Sequence, residues 1–209
     1  MTEIAAVILA AGRSSRYRAR GGAEASKLVA DYRGVPLVRA VADAALGSRA
    51  RPIFVVTGHA RAEVEAALAG LPLTFVDNPD FATGLASSLK TGIGALPPGV
   101  GGAIVLLGDM PEIQARVIDS LVDRFAANPD AVAAAPVFAG HRGNPVLLSQ
   151  SLFAKVARLD GDEGARRLLR EADATLVIDV PFDDVAVTLD IDTPDDLAAA
   201  RNSRARPAR

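Results

Sequence analysis

The chain has no cysteine and no tryptophan, only two histidines, and just three lysines among its 23 basic residues. Without cysteine there is no disulfide framework, no thiolate metal site and no cysteine nucleophile. His59 and His141 lack the spacing of a zinc site, and pairing either with Ser87 or Ser88 makes a serine triad by arithmetic only. Long apolar runs are missing too. The first, Ile4 to Ala11, follows no basic segment, and nothing approaches the ~20 apolar residues of a membrane span, which leads us to expect a cytoplasmic protein. Net charge is −2, so no global field draws the chain to nucleic acid or to a membrane surface, and any anion binding must be local. There is no GxxxxGK[ST] loop, and Gly92-Ile93-Gly94 lacks the third glycine of a dinucleotide fingerprint.

What is present is 209 residues, half of them hydrophobic, enough for a sizeable core in one domain. Apolar runs of strand length, Ile4 to Leu9, Ile53 to Thr57, Leu73 to Val76 and Ala103 to Leu107, each end in glycine or a polar turn residue. Between them Pro36 to Leu46, Arg61 to Leu68, Leu85 to Leu96 and Gln114 to Ala127 carry apolar residues at helical spacing. This alternation predicts an α/β fold with a parallel sheet covered on both faces. Beyond Pro129 the regularity loosens: strands are expected at Ala131 to Val137, Pro145 to Leu148, Leu176 to Val180 and Ala186 to Leu189, with helices at Leu152 to Arg158 and Glu163 to Glu171. A last helix, Asp195 to Arg201, runs into a basic, frayed tail, so the domain is expected over 1–201 and the tail over 202–209.

In an open parallel sheet, ligands bind outside the carboxyl ends of the strands. The first strand opens onto GRSSR, the second onto GHAR and the fourth onto GDMP. Residues 8 to 27, ILAAGRSSRYRARGGAEASK, place glycine, serines, four arginines and Lys27 after an apolar strand, a pattern that suits phosphate or merely a solvated basic loop. Gly108-Asp109-Met110-Pro111 follow AIVLL directly. A carboxylate there either caps the helix starting near Pro111 or holds a cation. Asp190 and Asp192 follow VAVTL, and strand alternation would put them on one side; Asp192 is the better cap for the next helix, leaving Asp190 as a second metal ligand beside Asp109.

Leu9-Ala10-Ala11-Gly12 with Ser14 and Arg16, Lys27-Leu28, Gly84 with Ser87-Ser88-Leu89, Gly108-Asp109-Met110-Pro111, Arg142-Gly143-Asn144-Pro145-Val146 and Asp190-Ile191-Asp192-Thr193-Pro194-Asp195-Asp196-Leu197 appear in this order. Together they resemble the MobA-like nucleotidyltransferases, and within them the molybdenum cofactor cytidylyltransferases. The resemblance implies a Rossmann-like three-layer sandwich of the nucleotide-diphospho-sugar transferase type. It also implies a reaction: CTP, or GTP in the guanylyl branch, gives its nucleoside monophosphate to the terminal phosphate of a pterin and releases pyrophosphate. A molybdoenzyme or its chaperone would make transient contact.

By the same resemblance Arg16, Lys27 and Asp109 are catalytic, and Asp109 with Asp190 hold Mg²⁺. Leu9, Ala10, Ala11, Gly12, Arg13, Ser14, Thr57, Asn78, Gly84, Ser87, Ser88 and Gly108 would bind the nucleotide. Arg142 to Val146 and Gly161-Asp162-Glu163-Gly164 would shape the acceptor pocket. Two departures stand out: an insertion from Arg18 to Ser26, expected to be a mobile lid, and Asn144 where many relatives have histidine. Other readings are transfer to a different phosphorylated acceptor, and an oxidoreductase or ligand-binding relative on the same fold.

Overall fold

The computed structural model describes residues 3–202, so all but the first residue of the expected basic tail lies outside the described residues. The elements are β1 (Ile4–Leu9), α1 (Ser15–Ala19), β2 (Asp31–Tyr32), β3 (Val35–Pro36), α2 (Leu37–Gly47), β4 (Ile53–Thr57), α3 (Arg61–Ala67), β5 (Thr74–Asp77) and α4 (Leu85–Gly94). They continue with β6 (Gly102–Leu107), α5 (Ala115–Ala126), β7 (Ala133–Phe138), β8 (His141–Arg142), β9 (Val146–Ser149), α6 (Phe153–Val156), α7 (Ala165–Glu171), β10 (Val177–Pro181) and α8 (Pro194–Asn202).

The main sheet runs β10-β7-β9-β6-β1-β4-β5, with β8 paired to β7. Strand β1 lies between β6 and β4, parallel to both, and β5 is parallel to β4. Strand β9 is antiparallel to β6 and β7. The first half therefore forms the parallel sheet that its apolar strands imply. The looser second half reflects a reversal of direction at β9.

Alternation along β1 builds the two outer layers. Ile4, Ala6 and Ile8 pack with Val38 and Val41 of α2, Val64 of α3 and Ile118 and Leu121 of α5. Val7 and Leu9 pack on the other face with Leu89 and Ile93 of α4, Val156 of α6 and Leu168 of α7. Burial of each such side chain contributes about 1.5–3 kcal/mol, so the central strand is the most strongly specified element. Gly92 lets α4 lie close to the sheet, since a Cβ there would stand 2.4 Å from Cγ1 of Val7. No helix among the described residues is long and apolar enough to cross a membrane.

Two expectations fail locally. Val185–Thr188 is a 3-10 turn and not a strand, so strand alternation does not relate Asp190 to Asp192. The helix expected at Leu152 to Arg158 shrinks to a 3-10 turn at Gln150–Leu152 followed by α6. The expected insertion, Arg18 to Ser26, begins within α1, and Tyr17 just before it packs against the body of the protein. A third core cluster joins Tyr17 of α1, Tyr32 and Leu37 near the β2–β3 hairpin, and Ile191, Leu197 and Ala200 at or beside α8.

Candidate active site

The carboxyl ends of β1 and β6 open on a cleft of ≈ 390 Å³, within the usual range for small-molecule sites. Leu9, Ala11, Gly12, Arg13 and Ser14 form one side, Lys27 and Asp109 the floor, and Phe81, Gly84, Leu85, Ser88 and Asp162 the far wall. Among the described residues the backbone amides of Ala11, Gly12 and Arg13 donate no intramolecular hydrogen bond, whereas Ala10 donates to the Val56 carbonyl at 2.9 Å. Free amides after a buried strand are what an anion needs. A Cβ at Gly12 would meet nothing within 4 Å, so its side of the cleft is open.

Ser14 takes a left-handed conformation, φ 52°, and turns the chain into α1. Its Oγ lies 3.1 Å from the Oγ of Ser26 and accepts from the amide of Lys27 at 3.1 Å. The two ends of the intervening segment are thus stitched together, which returns Lys27 to the cleft. Its Nζ is 2.8 Å from Oδ2 of Asp109 and 2.8 Å from Oδ1 of Asp192. Arg16 pairs with the second oxygen of Asp192. Burial alone would push the Lys27 ammonium down, but Asp109 and Asp192 outweigh it and hold the group above its ordinary value. Burial likewise opposes ionisation of Asp192, and Lys27 and Arg16 overcome it to hold the carboxyl below its usual range.

Asp192 was expected to cap α8. That task falls instead to Thr193 and Asp196: Asp196 Oδ2 accepts from the amides of Asp192 at 3.1 Å and Thr193 at 2.8 Å, and its own amide donates to Thr193 Oγ1 at 3.2 Å. This is a capping box, legible in the sequence as Thr193-Pro194-Asp195-Asp196. Asp192 is thereby freed for the ion cluster, and sequence reasoning missed it by giving the cap to the first carboxylate.

Asp190 stands beside the same cluster. Burial, and then the charge of Asp109, push its carboxyl above the usual range, and the Ile191 amide donates to the Asp109 carbonyl at 3.0 Å, tying the two loops together. Among the described residues no group of three or more metal-ligating side chains exists. The donors nonetheless fit a magnesium ion bound jointly with substrate phosphates. Oδ1 of Asp109 is buried without a hydrogen-bond partner among the described residues, and two hard carboxylate donors leave positions for phosphate oxygens.

The far wall rests on backbone contacts. Gly84, at φ 115°, ends a 3-10 turn and begins α4; a Cβ on it would stand 2.2 Å from the Gly161 carbonyl oxygen. That carbonyl accepts from the Ala86 amide at 3.0 Å. Asn78 is buried behind this wall and uses both amide hydrogens, on Ser87 Oγ at 2.9 Å and Ser88 Oγ at 3.1 Å, while its Oδ1 accepts from the Asp80 amide at 3.0 Å. Thr57 is fully buried. Both therefore sit behind the cleft surface, as do Ala10 and Gly108, whose amide donates to the Leu9 carbonyl at 3.0 Å. Ser87 faces a second groove, with Lys90 and Asp160.

On the side expected to receive the acceptor, Asp162 reaches the cleft. Arg142 is engaged with Asp179 at 2.6 Å. Gly143 lies against the Val187 carbonyl, where a Cβ would come within 1.9 Å of the oxygen, and the Asn144 amide donates to that carbonyl at 2.8 Å. His59 tilts against Phe81, with ring centroids 5.9 Å apart, and His141 lies in the β7–β8 hairpin; neither lines the cleft.

The purine catabolism protein PucB of Bacillus subtilis is 30% identical to this chain over 205 residues, covering 94% of the chain and 95% of that protein. The molybdenum cofactor cytidylyltransferase of Escherichia coli K12 is 29% identical over 150 residues, 71% of this chain and 73% of that one. Bifunctional GlmU proteins match over a smaller share of their own length, the chain covering 27% of the one from Acidovorax ebreus at 37% identity. The crystal structure of Rv0371c from Mycobacterium tuberculosis superposes with a TM-score of 0.83 at 28% identity, covering 97% of this chain and 99% of that one. A second structure of Rv0371c is a complex with manganese, with a TM-score of 0.77 at 26% identity over 97% and 100% of the two chains. The MobA-like NTP transferase domain matches residues 6–176, from within β1 to the turn before β10. The chain belongs to that family.

Proposed function

We propose that the protein transfers CMP from CTP to the terminal phosphate of molybdopterin, releasing pyrophosphate, and that Asp109 and Asp190 hold the Mg²⁺ this requires. The observation that carries the reading is the Lys27 ammonium held between Asp109 and Asp192 at the floor of the cleft, with one Asp109 oxygen left without a partner among the described residues. The cytidylyl assignment is supported by the likeness to the E. coli enzyme over most of the chain.

The chemistry asks little of side chains as bases. A phosphate monoester has its second pKa near 6, so the acceptor oxygen is already a nucleophile at neutral pH. Neither histidine reaches the cleft, in keeping with this. That oxygen forms a bond to the α-phosphorus while the bond from the α-phosphorus to the bridging oxygen breaks, and the electron pair leaves on pyrophosphate. The amides of Ala11, Gly12 and Arg13 face the phosphates, Lys27 neutralises charge gathering on the α-phosphate, and Arg16 pairs with the departing pyrophosphate. Mg²⁺, when bound, would supply further neutralisation of the triphosphate. A reaction drawing on CTP suits a cytoplasmic enzyme, whose product would pass to a molybdoenzyme or its chaperone.

The test is pyrophosphate release from CTP and molybdopterin with and without Mg²⁺, together with calorimetric affinities for CTP and GTP. Mg²⁺-dependent release with CTP is expected. Tenfold tighter GTP binding, about 1.4 kcal/mol, would turn the reading to guanylyl transfer.

A further inference from the structure

We infer that Tyr17 is a positioning residue whose buried ring, roofed by Gly22 and anchored to Glu24, makes the segment between Ser14 and Ser26 a fixed strap that aims Arg16 at the phosphate site. The inference deepens the proposed function and rests on its placing of the triphosphate.

Basic, glycine-containing insertions beside a phosphate site ordinarily invite the role of a lid that orders when the anion arrives. The contacts here describe a different device. Tyr17 is only 3% exposed and packs with Ile191, Leu197 and Ala200 at or beside α8, so the segment is nailed to the body of the protein near its start. The amide of Gly22 donates to the Tyr17 carbonyl at 3.1 Å, folding the chain back over the ring. Only glycine fits that fold: a Cβ at position 22 would lie 2.1 Å from both Cδ1 and Cε1 of Tyr17. The phenol hydroxyl donates to Glu24 at 2.8 Å, and burial together with this bond pushes its pKa up to about 12, so it stays a donor at any physiological pH. Ser14 and Ser26 close the base of the strap.

The consequence for the site follows from adjacency. Arg16 itself is highly exposed and held by one ion pair to Asp192, a contact too weak on its own to fix a long side chain. Its backbone is fixed because the next residue is clamped in a core. The same cluster holds Ile191, the neighbour of Asp192, so one apolar contact sets both members of the pair and, through Asp192, the Lys27 ammonium. Arg18 and Arg20 then point from the outer side of a rigid loop and have no role in closure.

The experiment compares wild type with Gly22→Ala, Tyr17→Phe and the double variant Gly22→Ala, Tyr17→Leu, in which the smaller side chain leaves room for the added methyl. Trypsin cleavage after Arg16, Arg18 and Arg20 reads the strap without any ligand. Calorimetry with CTP and with inorganic tripolyphosphate, each with Mg²⁺, reads its effect on the site. Wild type should resist cleavage in the strap. Gly22→Ala should be cut faster and bind both anions about tenfold more weakly, with KM rising and kcat within twofold. Tyr17→Phe should weaken binding about threefold, the loss of one buried hydrogen bond. The double variant should recover part of the resistance and affinity lost in Gly22→Ala but stay below Tyr17→Phe, because it relieves the collision while losing the ring and its bond to Glu24. Rapid cleavage of the wild-type strap overturns the inference, as does equal anion binding by wild type and Gly22→Ala. Failure of wild type to bind either anion overturns the inference and the proposed function together.

Discussion

The two walls of the cleft are held by different forces. On the β1 side, charged groups hold one another: Lys27 lies between Asp109 and Asp192, and Arg16 pairs with Asp192. On the α4 side, backbone holds backbone: Gly84 sits against Gly161, and Asn78 fixes Ser87 and Ser88 from behind. An ion cluster can exchange partners when an anion or a cation arrives, because side chains turn without moving a strand. Gly84 lies so close to Gly161 that a Cβ on it would stand 2.2 Å from the carbonyl oxygen, and such a backbone contact cannot yield without shifting the main chain. One wall is therefore built to be rearranged by ligand and the other to keep its shape.

The largest expected effect tests the charged wall. Asp109→Asn keeps the shape, leaves Lys27 with Asp192, and should lower turnover by roughly 10²–10³-fold while thermal unfolding still shows a folded protein. Pyrophosphate release and a melting curve check this; an unfolded variant would show that the pair with Lys27 is structural, erasing the contrast between the walls.

The opposite behaviour is expected across the cleft. Gly84→Ala combines a left-handed φ with a collision against Gly161 and should cost about 2–3 kcal/mol of stability in urea unfolding. An unchanged midpoint would mean that the 160–164 loop gives way and the wall is softer than drawn. Asn78→Ala should cost less, about 1–2 kcal/mol, because it removes a buried amide that three partners share. Its signature would be a urea midpoint shift with a modest rise in KM for CTP.

The smallest effects concern pH and metal. Burial and the charge of Asp109 raise the Asp190 carboxyl, so the folded state binds its proton more tightly than the unfolded state does. Its ionisation therefore subtracts stability once pH rises above the usual carboxylate value of about 3.9 and through the folded value. Asp190→Asn removes that penalty; since water screens a partly exposed group, a rise of only about 1–2 °C in metal-free melting temperature at pH 7 is expected. The same variant should need more Mg²⁺ for activity. Asp192 has the reverse sign: its carboxyl is lowered, so its contribution is present above about pH 3.9 and lost as pH falls through the folded value. Melting temperatures between pH 3 and 7 should therefore depart from wild type in opposite directions at neutral pH, Asp190→Asn above it and Asp192→Asn below it, and converge on it as the pH falls.

Much of this was legible in the chain itself. Strands β1 and β4 fall where their apolar runs begin and end, because a strand buried on both faces leaves an uninterrupted apolar signature. Asp109 could be placed at the mouth of the sheet because only Gly108 separates it from such a run. Val185–Thr188 misled, since a short apolar run packed under a loop looks the same as a strand. The packing of Tyr17 gave no signal for a similar reason: the arginines and glycines around it signal solvent, and a single tyrosine gives no periodic pattern.

By itself the sequence determined the alternation of strands and helices, the parallel first half, and the loops that would meet a phosphate, since each depends on local spacing and on short-range turn chemistry. Only the tertiary structure decided which distant groups share a charge. Lys27 and Asp192 are 165 positions apart and Arg16 and Asp192 are 176, and they meet because Tyr17 and the start of α8 bury their apolar neighbours in one cluster. The reversal at β9 was decided in the same way, by pairing with β6 and β7 across the sheet. Local spacing fixes which face of an element is apolar; which loops come together at its end depends on how those faces are packed.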